Sequence, residues 1–182
     1  MGFFDKFKKA AKPAKPEALG VSAPAGTVLA PVTGKAVKLE DVSDPVFSSG
    51  AMGKGCGVEP EGECVYAPVS GTLTAAGAPN YHALGIQGDD GAEVLIHVGV
   101  DTVEMKGEGF KVYGEKGAHV KAGEPLLSFS KDKIKPAGHD TVVIMALTNT
   151  DELASVELTN EGPVKAGEPV IRFKQLTADA IA

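Results

Sequence analysis

Residues 80–98, NYHALGIQGDDGAEVLIHV, contain two apolar runs separated by the turn sequence Gly88-Asp89-Asp90-Gly91. Gly and Asp residues between two such runs predict a β-hairpin. If the hairpin is symmetric about the Asp89–Asp90 bond, His82 lies directly opposite His97. Facing residues of an antiparallel pair have Cβ atoms about 4.5–5.5 Å apart. The sequence therefore predicts a contacting pair of histidines, which a three-residue loop would place diagonally rather than face to face.

The position of His97 inside the apolar run VLIHV has a structural and a functional interpretation. One histidine in a buried strand is more often a hydrogen-bonded core residue than a reactive group. Two adjacent imidazoles favour the functional interpretation, because protonated rings repel and at least one stays neutral near pH 7. A neutral ring nitrogen in apolar surroundings is a good nucleophile. Asp101 follows His97 by four residues, an even spacing that keeps both on one face if the strand continues so far; a turn at Asp101-Thr102 is the alternative. His119 and His139 stand in polar segments and are interpreted as surface residues.

The rest of the chain predicts many short strands. The 182 residues include 23 Gly and 12 Pro, and 43% of them are hydrophobic. Frequent Gly and Pro between short apolar runs are typical of an all-β fold. Residues 142–147 read as a continuous buried strand, and one or two helical turns are predicted at Thr150–Leu153 with Thr150 as cap.

Two internal sequence repeats indicate a duplicated architecture. Residues 30–34, APVTG, recur as APVSG at 67–71, and VKAGEP at 120–125 recurs at 164–169. Each copy of VKAGEP precedes a short apolar run that ends in Phe, at Phe129 and Phe173. The chain is therefore predicted to form a pseudo-duplicated antiparallel β-sandwich or barrel.

Charge is distributed unevenly along the chain. Residues 1–17 carry a net charge of +3 from five Lys and two acids, and the whole chain carries −6, so the remainder carries −9. An acidic body argues against nucleic acid as a partner, since phosphate backbones are held mainly by Lys and Arg. No signal peptide is recognised, so we expect a cytoplasmic protein with Cys56 and Cys64 as free thiols.

The predicted organisation has four parts. Residues 1–10 combine three Phe with three Lys, as in a short amphipathic helix lying on an anionic membrane surface; a disordered tail is the alternative. Residues 11–26 form a Pro/Ala-rich linker with little to bury. Residues 27–175 form the domain, and residues 176–182 are a tail.

The segment VLIHVGVDTVEMKGEGF, residues 94–110, resembles the active-site motif of the glucose-type IIA component of the bacterial phosphoenolpyruvate-dependent sugar phosphotransferase system. The resemblance extends over most of the chain. It includes both internal repeats, the segments DPVF at 44–47 and HALGI at 82–86, and the segment VIRF at 170–173. It implies a β-sandwich, or barrel-sandwich hybrid, with duplicated hybrid motifs.

The resemblance also implies roles for residues and partners. His97 would accept a phosphoryl group on Nε2 from the carrier protein HPr and pass it to the IIB domain of a sugar permease. His82 would assist the transfer without carrying the group. The unphosphorylated form of similar proteins binds permeases and glycerol kinase. No cofactor is required, although a zinc ion can bridge His82 and His97 to a partner carboxylate. Asn80 stands where the family often has a Thr that hydrogen-bonds an active histidine.

Two rival functions remain at the level of the sequence. His97 and Asp101 have the H-x-x-x-D spacing of a group of zinc peptidases with similar β architecture, but those enzymes also need H-x-H, and no two histidines here are so spaced. The Gly-bearing turns are similar to those of biotinyl and lipoyl domains, with Lys106 as the modified residue, although Gly107 follows where biotinyl domains have Met.

Overall fold

Short apolar runs between Gly- and Pro-bearing turns form strands throughout the chain. The computed structural model describes residues 15–177, so segment 1–10, residues 11–14 and residues 178–182 lie outside the described residues. The described part contains these strands: β1 Thr27–Leu29, β2 Gly34–Lys38, β3 Lys54–Pro60, β4 Cys64–Tyr66, β5 Gly71–Ala75, β6 Ala83–Gly88, β7 Glu93–Val98, β8 Phe110–Val112, β9 His119–Val120, β10 Pro125–Phe129, β11 Val143–Leu147, β12 Leu153–Leu158, β13 Gly162–Val164 and β14 Pro169–Gln175.

Three antiparallel sheets arrange these strands. The largest has the order β13-β2-β3-β11-β7-β6-β5-β9, and the two smaller sheets have the orders β1-β14-β12 and β4-β10-β8. One hydrophobic core draws on all three sheets, through residues such as Val28, Ile96 and Leu127. Removing apolar surface from water stabilises a fold by about 25 cal/mol per Å², so the shared core holds the sheets together. The predicted all-β sandwich is confirmed.

The two copies of each sequence repeat occupy equivalent places in the structure. Gly34 and Gly71 end the APVTG and APVSG segments and begin β2 and β5. Gly34 pairs with Val164 at the start of one VKAGEP segment, and Gly71 pairs with Val120 at the start of the other. The two copies therefore occupy the two halves of the eight-stranded sheet, with β2 and β13 in one half, β5 and β9 in the other, and β11 and β7 at the centre.

The repeated turns are held by the same side-chain hydrogen bond in both copies. The Ala122 N–H donates to Ser70 Oγ at 2.9 Å, and the Ala166 N–H donates to Thr33 Oγ1 at 3.0 Å. A hydroxyl residue before the final Gly of each APV(T/S)G segment therefore satisfies one turn amide per copy.

The linker lies on both repeated turns. The Leu19 N–H donates to the Gly123 carbonyl at 3.0 Å. Gly123 and Gly167 have φ values of +87° and +90°, a left-handed conformation that favours glycine. A Cβ on Gly123 would lie 2.8 Å from Val21 Cγ2, and one on Gly167 would lie 3.2 Å from Leu19 Cδ1. The linker thus packs on the body at Leu19, in contrast to the expectation of a segment with little to bury.

A second, smaller apolar cluster covers the outer face of the large sheet. Its buried members are Leu39, Val42, Phe47, Val142, Ile144 and Ala146. Strand β11 lies between β3 and β7, and its residues alternate between this cluster and the main core. Burial on both faces explains the continuous apolar run, and the predicted strand is confirmed.

Helical structure is limited to single turns within residues 15–177. One-turn α-helices span Pro45–Ser48 and Lys131–Ile134, and 3₁₀ turns span Leu39–Asp41, Thr102–Met105 and Thr150–Glu152. The predicted turn at Thr150 is confirmed, but Asn149 takes the cap position. The Thr150 hydroxyl instead accepts the Lys54 N–H at 2.9 Å. None of the helices in this range has the length and apolar character needed to span a bilayer.

Both cysteines are free thiols, as predicted. Cys56 is fully buried in the core, and this burial raises the pKa of its thiol to about 12. Cys64 is half-buried on β4, and burial raises its pKa as well.

The duplicated hydroxyl bond gives a matched pair of stability predictions. Thr33→Ala and Ser70→Ala each leave one turn N–H without its acceptor. We expect each to lower the free energy of unfolding by about 1 kcal/mol, because the same bond is lost in each copy. Urea unfolding measures both values. Thr33→Ser keeps the hydroxyl and should retain most of the stability; a large loss in Thr33→Ser would assign the effect to the Thr methyl group.

Candidate active site

His97 lies on the outer face of one of the two central strands. The residues of β7 alternate, with Val94, Ile96 and Val98 directed to the main core and His97 on the opposite face. His97 is half-buried, and its strand partners are Ile144 on β11 and Ala83 on β6. Strand alternation therefore places the ring against the second apolar cluster rather than inside the core.

The hairpin register differs by one residue from the symmetric prediction. Ala83, not His82, pairs with His97. The Gly88 N–H donates to the Ala92 carbonyl at 2.8 Å, which leaves a three-residue loop in which Gly91 is left-handed, with φ of +95°. Such loops commonly contain a left-handed Gly that absorbs the extra residue. The symmetric register is wrong, and the three-residue alternative is the one observed.

The two imidazole rings nevertheless meet. Their centroids are 4.7 Å apart and their planes form an angle of 80°. His82 precedes β6 and lies in a turn, so its side chain is not bound by the alternation of the strand. Its carbonyl accepts the Val98 N–H at 2.8 Å, which continues the hairpin by one bond. His82 is buried, with 7% of its surface exposed.

A backbone carbonyl fixes the orientation of the His97 ring. His97 Nδ1 lies 2.8 Å from the Gly99 carbonyl oxygen. Since a carbonyl can only accept, Nδ1 carries the proton. In the neutral ring, Nε2 is then the nitrogen with a free lone pair. The arrangement selects Nε2 as the nucleophilic atom.

Glycine at position 99 is required by this local geometry. Gly99 has φ of +77°, and a Cβ there would lie 2.4 Å from Thr102 Cγ2 and 2.8 Å from the Asp140 carbonyl oxygen. The Gly99 N–H donates to the Val142 carbonyl at 2.7 Å. The residue is thus anchored on one side by Val142, which directly precedes β11, and presents its carbonyl to His97 on the other.

Phe47 forms an apolar wall beside His97. The two ring centroids are 5.2 Å apart. Phe47 belongs to the turn Pro45–Ser48, where Asp44 caps the helix by accepting the Val46 and Phe47 N–H groups at 2.9 and 3.2 Å. A capping Asp followed by Pro is a recognisable start signal for a helix. The sequence therefore contained a signal for this turn, although not for its contact with His97.

Burial keeps both histidines neutral near pH 7. Burial, and secondly the charge of His97, lower the pKa of His82 from 6.5 to about 4. Burial also lowers the pKa of His97, opposed by the Gly99 hydrogen bond and by the carboxylates of Asp44 and Asp101. These opposing groups stabilise positive charge on His97, whereas nothing of the kind acts on His82. The two rings are therefore electrostatically different.

Asn80 and Asp101 lie at the edge of the site. Asn80 is exposed, and its carbonyl accepts the Ala83 N–H at 3.0 Å. Strand β7 ends at Val98, so the strand spacing does not apply to Asp101, which is exposed and left-handed with φ of +58°. Asp101 acts on His97 through its charge.

The remaining candidates lie elsewhere. Lys106 is exposed in a left-handed conformation. His119 is exposed, as predicted, and contacts Asp89. The side chain of His139 is only 12% exposed, so it is more buried than predicted; its Nε2 lies 3.8 Å from Glu104 Oε2. Among residues 15–177, no group of three or more His, Cys, Asp or Glu side chains is arranged to hold a metal ion.

Comparison with known proteins identifies a single family. Residues 26–153 match the sequence model described as phosphoenolpyruvate-dependent sugar phosphotransferase system, EIIA 1. The chain is 41% identical over 142 residues to the glucose-specific EIIA component of Staphylococcus aureus (strain COL), a match that covers 78% of this chain and 84% of that protein.

Two further matches extend this result. The β-glucoside-specific EIIBCA component of Bacillus subtilis (strain 168) is 40% identical over 141 residues, which are 78% of this chain and 23% of that protein. The structure of glucose permease IIA from Mycoplasma capricolum superposes with a TM-score of 0.71 at 35% identity, covering 80% of this chain and 93% of the other. These matches give no support to a zinc peptidase or a biotinyl carrier.

We expect His82 to make folding stability depend on pH between about 6.5 and 4. Its folded pKa is lowered, so the unfolded state binds more protons in this range and is favoured as the pH falls. One pKa unit corresponds to about 1.36 kcal/mol, which sets an upper bound of about 3 kcal/mol. Urea titrations at the two pH limits should show a smaller loss of stability in His82→Gln than in the wild type. Equal losses would contradict the lowered pKa.

The neutral His97 ring is expected to be the Nδ1–H tautomer. The ¹⁵N chemical shifts of the ring nitrogens at about pH 8 distinguish the two tautomers. His119 provides an internal control, because its Nε2 lies 2.8 Å from Asp89 Oδ2 and so carries the proton. Opposite tautomers for His97 and His119 would agree with the structure; an Nε2–H signal from His97 would show that the Gly99 bond does not set the proton.

Proposed function

The chain belongs to the EIIA 1 family of the phosphoenolpyruvate-dependent sugar phosphotransferase system, and from that premise we propose that His97 carries the phosphoryl group on Nε2. The chain is a phosphocarrier of this system, in which an EIIA component receives the group from HPr and delivers it to a IIB domain. The observation that carries the assignment to His97 is the 2.8 Å bond from Nδ1 to the Gly99 carbonyl, which leaves Nε2 free.

The proposed step exchanges one N–P bond for another. The His97 Nε2 lone pair attacks the phosphorus of phosphohistidine on HPr, the N–P bond of the donor breaks, and its electron pair returns to the donor imidazole. In delivery, a nucleophile of the IIB domain attacks the phosphorus, the bond from His97 Nε2 to phosphorus breaks, and its electron pair returns to the His97 ring. Such a transfer needs little covalent machinery, so positioning and charge stabilisation dominate its rate.

Charge stabilisation of the His97 ring has identifiable sources. When Nε2 bonds to phosphorus and Nδ1 keeps its proton, the ring becomes positively charged. The Gly99 carbonyl and the carboxylates of Asp44 and Asp101 favour that charge. They are fixed before the reaction, so no reorganisation is required as the charge develops.

His82 is proposed to assist without being phosphorylated. Its ring contacts the His97 ring at 4.7 Å, and its low pKa keeps it neutral during the reaction. A neutral imidazole has one N–H, which can donate to a phosphoryl oxygen. The weaker basicity of His82 also makes it the poorer nucleophile of the pair.

The rim of the site suits a partner with a flat apolar surface. Val46 and Val103 are 53% and 52% exposed, and they belong to the two turns that contain Phe47 and Thr102. Phosphorylation adds about −1.5 to −2 charges at pH 7. A partner that buries this rim should therefore bind the unphosphorylated form more tightly. Regulatory binding to permeases and glycerol kinase, as in similar proteins, is proposed on the same basis.

A zinc ion at the histidine pair is proposed only for complexes. His82 and His97 supply two imidazoles, whereas structural zinc takes four ligands. A partner carboxylate and one further ligand would have to complete the set. Zinc there would hold the partner to the rim and would withdraw Nε2 of His97 from phosphoryl transfer.

We also propose where the protein acts and on what. Transfer from HPr places it in the cytoplasm, and residues 1–10, which lie outside the described residues, would contact the anionic membrane surface near the permease. Relatives of nearly equal identity bear glucose-specific and β-glucoside-specific names. The sugar is therefore proposed to be chosen by the acceptor permease rather than by this chain.

The assignment of roles predicts different behaviour for two substitutions. With phosphoenolpyruvate, the general enzyme of the system and HPr, His97→Gln should accept no phosphoryl group. His82→Gln should accept it but pass it to a IIB domain about 10²–10³-fold more slowly, as when one transition-state donor is removed. Radiolabel transfer followed by mass spectrometry of the labelled peptide measures both.

The matched control is His119→Gln, which alters an exposed histidine outside the site and should behave as the wild type. Acceptance by His97→Gln would refute the assignment of the phosphorylated residue. Failure of His82→Gln to accept at all would show that the division of roles between the two rings is wrong.

A further inference from the structure

The outer face of the β4-β10-β8 sheet carries a groove of about 580 Å³. Cys64, Ser128 and Lys111 are cross-strand partners that form one row of its lining. Phe110 and Tyr113 contribute aromatic surface. The groove is lined by neither His82 nor His97, and the chemistry proposed for those residues does not use it.

The second copy of the duplicated motif has a different residue at the centre of this row. The equivalent of Ser128 is Arg172, three residues after the repeated Glu-Pro in each case. Its cross-strand partners are Thr27 and Glu157. Arg172 is long and exposed, whereas Ser128 is short. The partners are similar in length in the two copies, Thr27 to Cys64 and Glu157 to Lys111, so the copies differ at the central residue of the row.

The first described residues of the chain, Lys15 and Pro16, lie at the groove. Pro16 lines the groove, and Lys15 Nζ lies 5.9 Å from the centroid of the Tyr113 ring. The Leu19 N–H bond to Gly123 holds the linker in this place. Residues 1–14 are consequently joined to the body at the groove, and 14 residues can extend about 46 Å, which is enough to reach along it.

We propose that residues 1–14 bind in this groove through Phe3, Phe4 and Phe7. Three of the seven phenylalanines of the chain lie in this short segment, next to the point where the linker meets an aromatic-lined recess. A short tether raises the effective concentration of the segment to the millimolar range, so weak apolar contacts suffice. Asp5 lies between these phenylalanines in the sequence and can pair with the exposed Lys133 of the groove.

The groove adjoins the histidine pair through one residue. Phe110 lines the groove, and its ring centroid is 6.5 Å from that of His82. A segment bound in the groove would therefore remove its own phenylalanine side chains from water and would lie beside the histidine site.

Alkylation of Cys64 in the full-length protein tests the proposal. Cys64 lines the groove and is half-buried, whereas Cys56 is fully buried and serves as an unreactive internal reference. A segment bound for nine-tenths of the time lowers the reaction rate of a covered thiol about 10-fold. The triple variant Phe3→Ser, Phe4→Ser, Phe7→Ser should therefore be alkylated at Cys64 about 10-fold faster than the wild type, as measured by mass spectrometry.

The control variant Lys6→Ser, Lys8→Ser, Lys9→Ser keeps the phenylalanines and should retain protection of Cys64. Amide chemical shifts give a second measurement: Lys111, Tyr113 and Ser128 should shift in the Phe variant, whereas Thr27, Glu157 and Arg172 of the other copy should not. Equal alkylation rates with unchanged groove shifts would overturn the proposal. Protection that increases with protein concentration would also overturn it, because the occupant would then be the segment of a second copy. Phosphoryl acceptance by His97 is not required for any of these measurements.

Discussion

The hydrogen bond between His97 Nδ1 and the Gly99 carbonyl is the constraint on which the site depends. A free imidazole exchanges its proton between two nitrogens and rotates about two side-chain bonds. This bond fixes both the proton and the ring, because a carbonyl accepts and cannot donate. It can do so because Gly99 adopts a left-handed conformation and is itself hydrogen-bonded to Val142, the residue before β11. A central strand pair thus controls the reactive nitrogen through backbone atoms.

Duplication explains the scaffold, and departures from it explain the function. Both copies use the same Gly-bearing turn, a hydrogen bond from the same turn amide to a hydroxyl oxygen, and apolar residues at equivalent inward positions. The functional features occur where the copies differ. His97 pairs with Ile144 across the centre of the large sheet, and Ser128 stands where the other copy has Arg172. The shared features stabilise the sheets, so residues on the outer faces of the sheets can differ between the copies without loss of the core.

Local patterns in the sequence predicted those elements of the fold that are determined by residues close together in the chain. The Gly-Asp-Asp-Gly turn, the repeated VKAGEP segments and the apolar run 142–147 each determine an element within a few residues, and each is found in the structure. The hairpin register was wrong because one left-handed glycine, Gly91, accommodates an extra residue that composition does not reveal. The Gly99 carbonyl could not be foreseen, since a pattern of side chains contains no information on which backbone oxygen faces a ring. Phe47 was missed for another reason: its contact with His97 joins residues 50 apart, and the start signal at Asp44 says nothing about where the turn packs.

The same apolar surroundings account for both reactivity and switching. Burial lowers the pKa of both histidines, which keeps the ring nitrogens available as neutral bases; for His97 the Gly99 hydrogen bond and the carboxylates of Asp44 and Asp101 oppose the shift, whereas for His82 the charge of His97 adds to it. The exposed Val46 and Val103 extend this apolar character to the rim, where a partner can exclude water from the reaction. A phosphoryl group introduced there carries about −1.5 to −2 charges, and a partner that buries the rim must then bury that charge as well. Because unpaired buried charge is costly, phosphorylation of His97 as proposed would change the affinity of such a partner without any rearrangement of the fold.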